Sequence, residues 1–415
     1  MPQKEQGLGL ITLLSALAYS CAFVIPPCWW MIGIGLALLW FVVVNLAMLS
    51  WQTAAMLGCM WGLVQFGIHT LWLIPLLLYK LACPLAWALS LYALLVCYFA
   101  LWIGLFFVAM SYLGKYLSRR LLRFICAMGA THVLFMLFAR YGLFIFGMSG
   151  GYPFASPCIP LAHLLCAVDE SEQIIQQVPV PYTQDGTRKR YPPLALSQYY
   201  FHQLCQKTQN RKEGLFVAAE SAYPFALNTM PEIISFFSSA LNEEQHLLLG
   251  SVYSVGPNQD FQALYWITHS GLRDIYLKKH AVPFFERMPT FLKKCTTLRA
   301  VLNAEHDFCT DTEKEAVLWR ITPSLQLRPA ICSEFFLGSY RFAQSAATKD
   351  SVVMLVVNDG WYVAYFRKIM ENLTQLDAVR LGVRIVYVGH FTTKVMLPKG
   401  LLCKFICSKM LKMLV

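Results

Sequence analysis

Between Glu5 and Lys80 the chain carries no Asp, Glu, Lys or Arg, and the same holds from Leu81 to Gly114. A water-facing fold draws about a quarter of its residues from the charged types. The whole chain has 14%, and the shortage lies in its first third. From Asp169 onward charges return at an ordinary density. Two regimes in one chain point to a membrane part followed by a globular part. A spanning helix takes ~20 mostly apolar residues. About five segments meet that need: Leu8–Ile25, Trp29–Leu49, Thr53–Leu78, Leu85–Leu113 and Leu122–Gly147.

Charge sets the expected orientation. Lys115, Arg119, Arg120 and Arg123 crowd between the fourth and fifth segments with no acid among them, which places that loop in the cytoplasm. Lys4 then lies on the same side, and an odd number of spans puts everything after Gly147 outside. No cleavable signal is evident, so the first helix is expected to stay as an anchor. The net charge of +11 owes much to clusters flanking apolar segments, so topology explains it better than a nucleic-acid partner does. The 14 cysteines form no C-x-x-C pair, and neither a disulfide framework nor a zinc site is expected. His69 and His132 fall within spans. Ionisable residues there are functional candidates by default, but neutral histidines hydrogen-bonded between helices are commoner, and no site is assigned to them.

After Asp169 short apolar runs alternate with helix-like stretches. Gly214–Ala219, the LLLGSVYS run within Glu243–Ser254, Ala263–Thr268, Ser351–Val357 and Arg384–Val388 read as strands. Pro231–Leu241 and Val363–Leu381 read as amphipathic helices. This alternation implies a layered α/β domain. Glycine-rich phosphate loops and H-E-x-x-H are missing from the sequence.

Three residues of the second part combine into a chemistry. Taken singly, Glu220 reads as a turn acid after a strand, Lys278 as a solvated lysine and Cys332 as a core thiol. Together they meet the needs of a cysteine nucleophile: a base to take its proton and a cation to hold the thiolate and the oxyanion. Glu, Lys and Cys suffice for acyl transfer through a thioester with neither metal nor cofactor.

The segments holding these residues resemble motifs of the apolipoprotein N-acyltransferases, bacterial inner-membrane enzymes with a nitrilase-like domain. AESAYP (Ala219–Pro224) resembles P-E-[ST]-A-x-P, and YLKKHAVPFFERMP (Tyr276–Pro289) resembles Y-x-K-x-H-L-V-P-F-G-E-Y-x-P. AICSEFF (Ala330–Phe336) resembles A-I-C-Y-E, and VVNDGWY (Val356–Tyr362) resembles N-D-A-W-F. Upstream, Phe146–Tyr152 and Ile159–Leu165 look like the family's connecting loop. The motifs stand in the family's order behind an odd set of spans.

The resemblance implies an αββα sandwich of the nitrilase type outside the membrane, with Glu220 as base, Lys278 as oxyanion support, Cys332 as nucleophile, and Glu286 and Glu334 as supporting acids. It implies a phospholipid as acyl donor and the N-terminal amine of a diacylglyceryl-cysteine apolipoprotein as acceptor, in the bacterial inner membrane with the catalytic part on the periplasmic side. The expected layout is a membrane domain over 1–147, a connecting loop over 148–168, a nitrilase-like domain over 169–400 and a cationic amphipathic tail over 401–415. Ala219, Phe285 and Ser333 depart from the motifs. The resemblance implies further strands and a last membrane helix beyond residue 400, and against it the chain is expected to be a C-terminally shortened relative. A carbon–nitrogen hydrolase of other substrate and a degenerate, non-catalytic homologue remain as alternatives.

Overall fold

The computed structural model describes residues 3–24, 30–80, 83–114, 116, 166–169, 175–179, 192–209, 211–256, 259–282, 286–287, 296, 308–310, 317–323, 325–335, 351–361 and 364–398. They form two compact units, one built chiefly from residues 1–160 and one from 161–363 with 370–413.

The first unit is helical: α1 (Gln3–Val24), α2 (Met31–Asn45), α3 (Trp51–His69) and α4 (Leu85–Leu113). The side chain of Ser50 caps α3 by accepting from the Thr53 N–H at 3.1 Å, satisfying a donor that the first turn leaves free. Polar side chains tie the helices together. Ser15 donates to the Gly35 carbonyl at 2.7 Å and accepts from the Trp61 indole at 3.1 Å, so α1, α2 and α3 share one hydroxyl. Tyr92 of α4 donates to the Gly67 carbonyl of α3 at 2.6 Å.

Among the described residues one helix, α4, is long and apolar enough to cross a membrane. The other expected spans are helical in part but fall short of that standard. Helix α2 has 15 residues, and α3 has 19 and carries Gln52, Gln65 and His69. The expected third span, Thr53–Leu78, is not one helix. It breaks at Thr70–Trp72 and resumes as a short turn, Leu73–Pro75, followed by a wider one over Leu76–Lys80. Pro75 lacks the N–H that a continuous helix would use there. The fifth expected span, Leu122–Gly147, lies outside the described residues, as does the tail 401–415.

The second unit has the expected α/β class, with two sheets facing each other. One sheet runs in the order β2 (Ile175–Gln177), β3 (Gly214–Ala226), β4 (Gln245–Ser254), β5 (Asp260–Thr268) and β6 (Gly271–Leu277). The other runs β1 (Cys166–Asp169), β11 (Thr393–Pro398), β10 (Arg384–Val388), β9 (Ser351–Val356), β8 (Gln326–Ile331) and β7 (Trp319–Arg320). Strands β3 and β5 of the first lie against β8, β9 and β10 of the second. Strand β1 starts ahead of Asp169, where the sequence places the boundary of the domain, because Cys166 already pairs with Pro398 of β11.

Both faces of the first sheet are covered. Leu196, Tyr200 and Leu204 of α5 (Pro193–Thr208) and Ile233 and Phe237 of α6 (Pro231–Ser238) pack on Phe216, Ala218, Leu247, Leu249 and Tyr265. The alternate residues Leu215, Val217, Leu248 and Leu264 are also buried. Doubly covered strands read as continuous apolar runs, which is why GLFVAA and LLLGSV stand out in the sequence. Burying Phe237 completely contributes about 2–3 kcal/mol. On the second sheet α7 (Ala364–Leu381) is fastened to β11 by an ion pair, Lys394 Nζ to Glu371 Oε2 at 3.1 Å.

Candidate active site

Lys278 and Cys332 follow the carboxyl ends of β6 and β8, where α/β sheets place their sites, and Glu220 lies within β3. Each is delivered by a local irregularity. Strands β3 and β4 pair in register from Gly214 opposite Gln245 to Ala218 opposite Leu249, and pairing resumes with Tyr223 opposite Ser251. The segment Ala219–Ala222 therefore stands against Gly250 alone. This bulge takes Glu220 out of the ladder and turns Ser221 to a φ of 53°. It presses so closely on β4 that a Cβ at Gly250 would lie 2.1 Å from the Ala219 carbonyl oxygen.

Cys332 follows β8 directly and has a φ of 46°. Left-handed backbone costs an L-residue roughly 1–2 kcal/mol, and such strain concentrates at functional sites. Ser221 and Cys332 are the non-glycine residues with positive φ among those described, and both lie in this site. The Cys332 N–H donates to the Val356 carbonyl at 2.8 Å, and the Phe335 N–H turns back to the Cys332 carbonyl at 3.2 Å. Strand, tight turn and helical turn together fix the thiol at the strand end.

Lys278 is the first residue after β6, with its N–H on the Gln262 carbonyl at 2.8 Å. The side chain of the same Gln262 accepts from Ser221 Oγ at 2.9 Å, so one residue braces both the lysine and the bulge. Lys278 Nζ lies 2.7 Å from Glu220 Oε1 and 2.7 Å from Glu286 Oε1. The other oxygen of Glu220 accepts the Asn358 N–H at 3.0 Å, and that of Glu286 accepts the Val282 N–H at 2.7 Å. The Cys332 thiol lies beside the Glu220 side chain, close enough to feel its charge.

All four side chains are buried, and burial decides their protonation. Burial opposes the charge on Lys278, but the carboxylates of Glu220 and Glu286 outweigh it and hold the ammonium well above the ordinary lysine value. Burial pushes the Cys332 thiol well up, and the Glu220 and Glu286 charges add to this against the pull of Lys278. Glu286 is raised by its burial, with Lys278 opposing. A bare thiolate here would put three anions around one cation. Burial and the two neighbouring glutamates thus favour the neutral thiol at Cys332.

Glu334 stands apart from Lys278 Nζ. It accepts from the Tyr276 hydroxyl and, through Oε2, from the Lys279 N–H at 3.2 Å. Burial pushes its carboxyl up to about 8. It thus holds the chain on either side of Lys278, through the Tyr276 side chain and the Lys279 amide. Ser333, where the motif has tyrosine, donates to the His280 carbonyl at 2.7 Å. Phe285 lies outside the described residues.

All five residues singled out by the sequence thus fall in one neighbourhood. The reading by motif missed the parts that hold them: Gln262, Gly250 and the Asn358 amide. Asn358 lies within VVNDGWY and Gly250 within LLLGSVYS, so the segments were visible but their tasks were not.

Comparison with known proteins bears on the first unit most directly. Residues 15–167 match the family model described as the apolipoprotein N-acyltransferase N-terminal domain. Two curated apolipoprotein N-acyltransferases, from Brucella suis biovar 1 (strain 1330) and Brucella melitensis biotype 1, are each 25% identical over 193 residues, which is 43% of this chain and 34% of the relative. The match spans about a third of those relatives' length. The resemblance to this family is therefore shown by two separate matches. Similar solved structures include an amidase of the nitrilase superfamily from Nesterenkonia AN1, with a TM-score of 0.37, 11% identity and coverage of 54% of this chain and 76% of that one. Another is a glutamine-dependent NAD+ synthetase from Acinetobacter baumannii, with a TM-score of 0.36, 14% identity and coverage of 54% and 38%.

Proposed function

We propose that this protein is an apolipoprotein N-acyltransferase that works through an acyl thioester on Cys332. The observation that carries the reading is Lys278, bridged at 2.7 Å to both Glu220 and Glu286, with the Cys332 thiol beside Glu220. This arrangement supplies nucleophile, base and cation at one point.

In the first half-reaction Cys332 Sγ gives its proton to Glu220 and attacks the ester carbonyl carbon of a phospholipid. The carbonyl electrons move onto its oxygen, and the Lys278 ammonium stabilises the resulting oxyanion. Collapse breaks the ester C–O bond. The departing alkoxide takes the proton from Glu220 and leaves as lysophospholipid. In the second half-reaction the free amine of a diacylglyceryl-cysteine apolipoprotein attacks the thioester, and its proton goes to Glu220. The expelled sulfur takes that proton back as the amide forms. No oxidation state changes, so the sequence of steps closes on these residues. A positioned general base supplies about 10²–10⁴-fold, and one oxyanion donor about 10²–10³-fold.

Both substrates carry acyl chains, so the thiol must meet them at a lipid surface. Helix α4 with α1, α2, α3 and the apolar segment 122–147 is read as a multi-pass anchor in the bacterial inner membrane. The positive-inside rule then places residues 169–400 on the periplasmic side.

The test is mass spectrometry of the full chain purified in phospholipid micelles, beside Cys332→Ala. A hydroxylamine-labile acyl adduct on Cys332, absent from the variant and discharged by a diacylglyceryl-cysteine peptide, is the expected result. Discharge by water alone would make the protein a hydrolase. No adduct on folded protein would overturn the reading.

A further inference from the structure

The turn after β10 reaches the site from a side that the steps above do not use. His390 places Nε2 3.0 Å from the main-chain carbonyl oxygen of Glu220. A carbonyl can only accept, so Nε2 carries the hydrogen, which fixes the tautomer of the neutral ring. The N–H of His390 itself donates to Asp359 Oδ1 at 2.6 Å, and Asp359 is buried. Asp359 follows Asn358, whose N–H holds Glu220 Oε2 at 3.0 Å. Two turns, one after β9 and one after β10, are thus fastened to each other and hold Glu220 at both ends, by its carboxylate and by its peptide.

The attachment comes where β3 needs it. Across Ala219–Ala222 the ladder to β4 is interrupted, and a main-chain oxygen in a buried bulge requires a donor from elsewhere. The turn is braced behind: Gln177 Nε2 donates to the Gly389 carbonyl, and the Gly389 N–H donates to the Thr392 carbonyl at 2.8 Å. The ring also has a space made for it. A Cβ at Gly360 would lie 3.0 Å from His390 Nδ1, and this chain has glycine in VVNDGWY where the motif it resembles has alanine.

We propose that His390 is a positioning residue for Glu220, holding the peptide of the bulge so that the carboxylate meets the Cys332 thiol. The proposal rests on the reading of Glu220 as the base. It assigns no contact between His390 and either substrate. Its effect therefore falls on the rate at saturating lipid and leaves the lipid dependence alone.

The experiment is single-turnover formation of the hydroxylamine-labile adduct on Cys332 in full-length protein, followed against phospholipid mole fraction. Glutamine at 390 can bring an amide N–H to about the place of Nε2, and asparagine is one carbon too short. His390→Asn is expected to lower the saturating rate roughly tenfold, as expected for a misplaced reacting group, with unchanged half-saturation. His390→Gln should recover most of that loss. Gly360→Ala, which crowds the ring, should slow the wild-type protein several-fold and add nothing to His390→Asn, because contacting residues couple.

A wild-type saturating rate in His390→Asn, or equal loss in the glutamine and asparagine variants at equal thermal midpoints, would overturn the proposal. Should His390→Asn fail to fold, an unchanged rate in Gly360→Ala would overturn it instead. Glu220→Gln separates the two levels. A wild-type rate there defeats Glu220 as base, whereas loss there with an unaffected His390→Asn defeats only the role of His390.

Discussion

Gly250 and Glu220 approach so closely that no methyl group fits between them: a Cβ at 250 would stand 2.8 Å from Glu220 Cα and 2.1 Å from the Ala219 carbonyl oxygen. The obstruction is backbone, so it cannot rotate away. Gly250→Ala is expected to flatten or displace the bulge, costing about 1–3 kcal/mol by overpacking. It should also remove most acylation of Cys332. Denaturant midpoints with the adduct assay check both. A variant as stable and as fast as wild type would show that the bulge adapts at no cost.

Removing the cation should do more harm than removing either acid. Lys278→Met leaves Glu220 and Glu286 facing each other in a buried site, and stranding buried charge costs about 3–5 kcal/mol. Glu286→Gln keeps the Lys278–Glu220 bridge and can still accept a hydrogen bond. The expected order of stability is wild type, then Glu286→Gln, then Lys278→Met, read from urea unfolding at neutral pH. The reverse order of the two variants would mean that Lys278 is held mainly by Glu286.

Glu334 gives a pH dependence whose sign is fixed. Burial raises its folded-state value to about 8 from an ordinary 4.5, so between those pH values the folded protein keeps a proton that the unfolded chain has lost. Stability from this group is fully present below about pH 4.5 and is lost as pH rises through about 8. The slope approaches about 1.4 kcal/mol per pH unit at most. Glu334→Gln should flatten the difference in unfolding free energy between pH 5 and pH 8. Parallel curves for variant and wild type would mean that Glu334 is ionised in the folded protein.

Left-handed backbone at Cys332 predicts an ordering between two inactive proteins. Glycine adopts a φ of 46° without the penalty an L-residue meets. Cys332→Gly should therefore be more stable than Cys332→Ala by about 1 kcal/mol, measured by thermal or denaturant unfolding. Equal stability would show that the turn relaxes once the thiol is gone.

The sequence spoke clearly where burial or chemistry constrains composition, and fell silent where geometry alone does. Runs such as Ser351–Val357 and Arg384–Val388 were readable because strands covered on both faces must be apolar throughout. Strand β8 escaped because Arg328 and Pro329 interrupt it, and helix α5 because Pro193–Thr208 mixes polar residues with its buried Leu196, Tyr200 and Leu204. The third apolar stretch has the length of a span, yet Pro75 and the turn at Thr70–Trp72 divide it. At the site, Glu220, Lys278, Cys332, Glu286 and Glu334 were legible as motif residues. The bulge that aims Glu220, and the reach of His390 across 170 residues of sequence, leave no periodic trace.

The pairing of β1 with β11 has a bearing on how the protein is made. Cys166 pairs with Pro398, so β1, the first strand among the described residues, has no β11 to pair with until nearly all of the second unit has been synthesised. At about 5–20 residues per second that wait is tens of seconds, with an open strand edge exposed throughout. Ribosome-bound chains halted before Val395 should keep that edge available to chaperones or to one another, and its disappearance would date the moment at which the second unit closes.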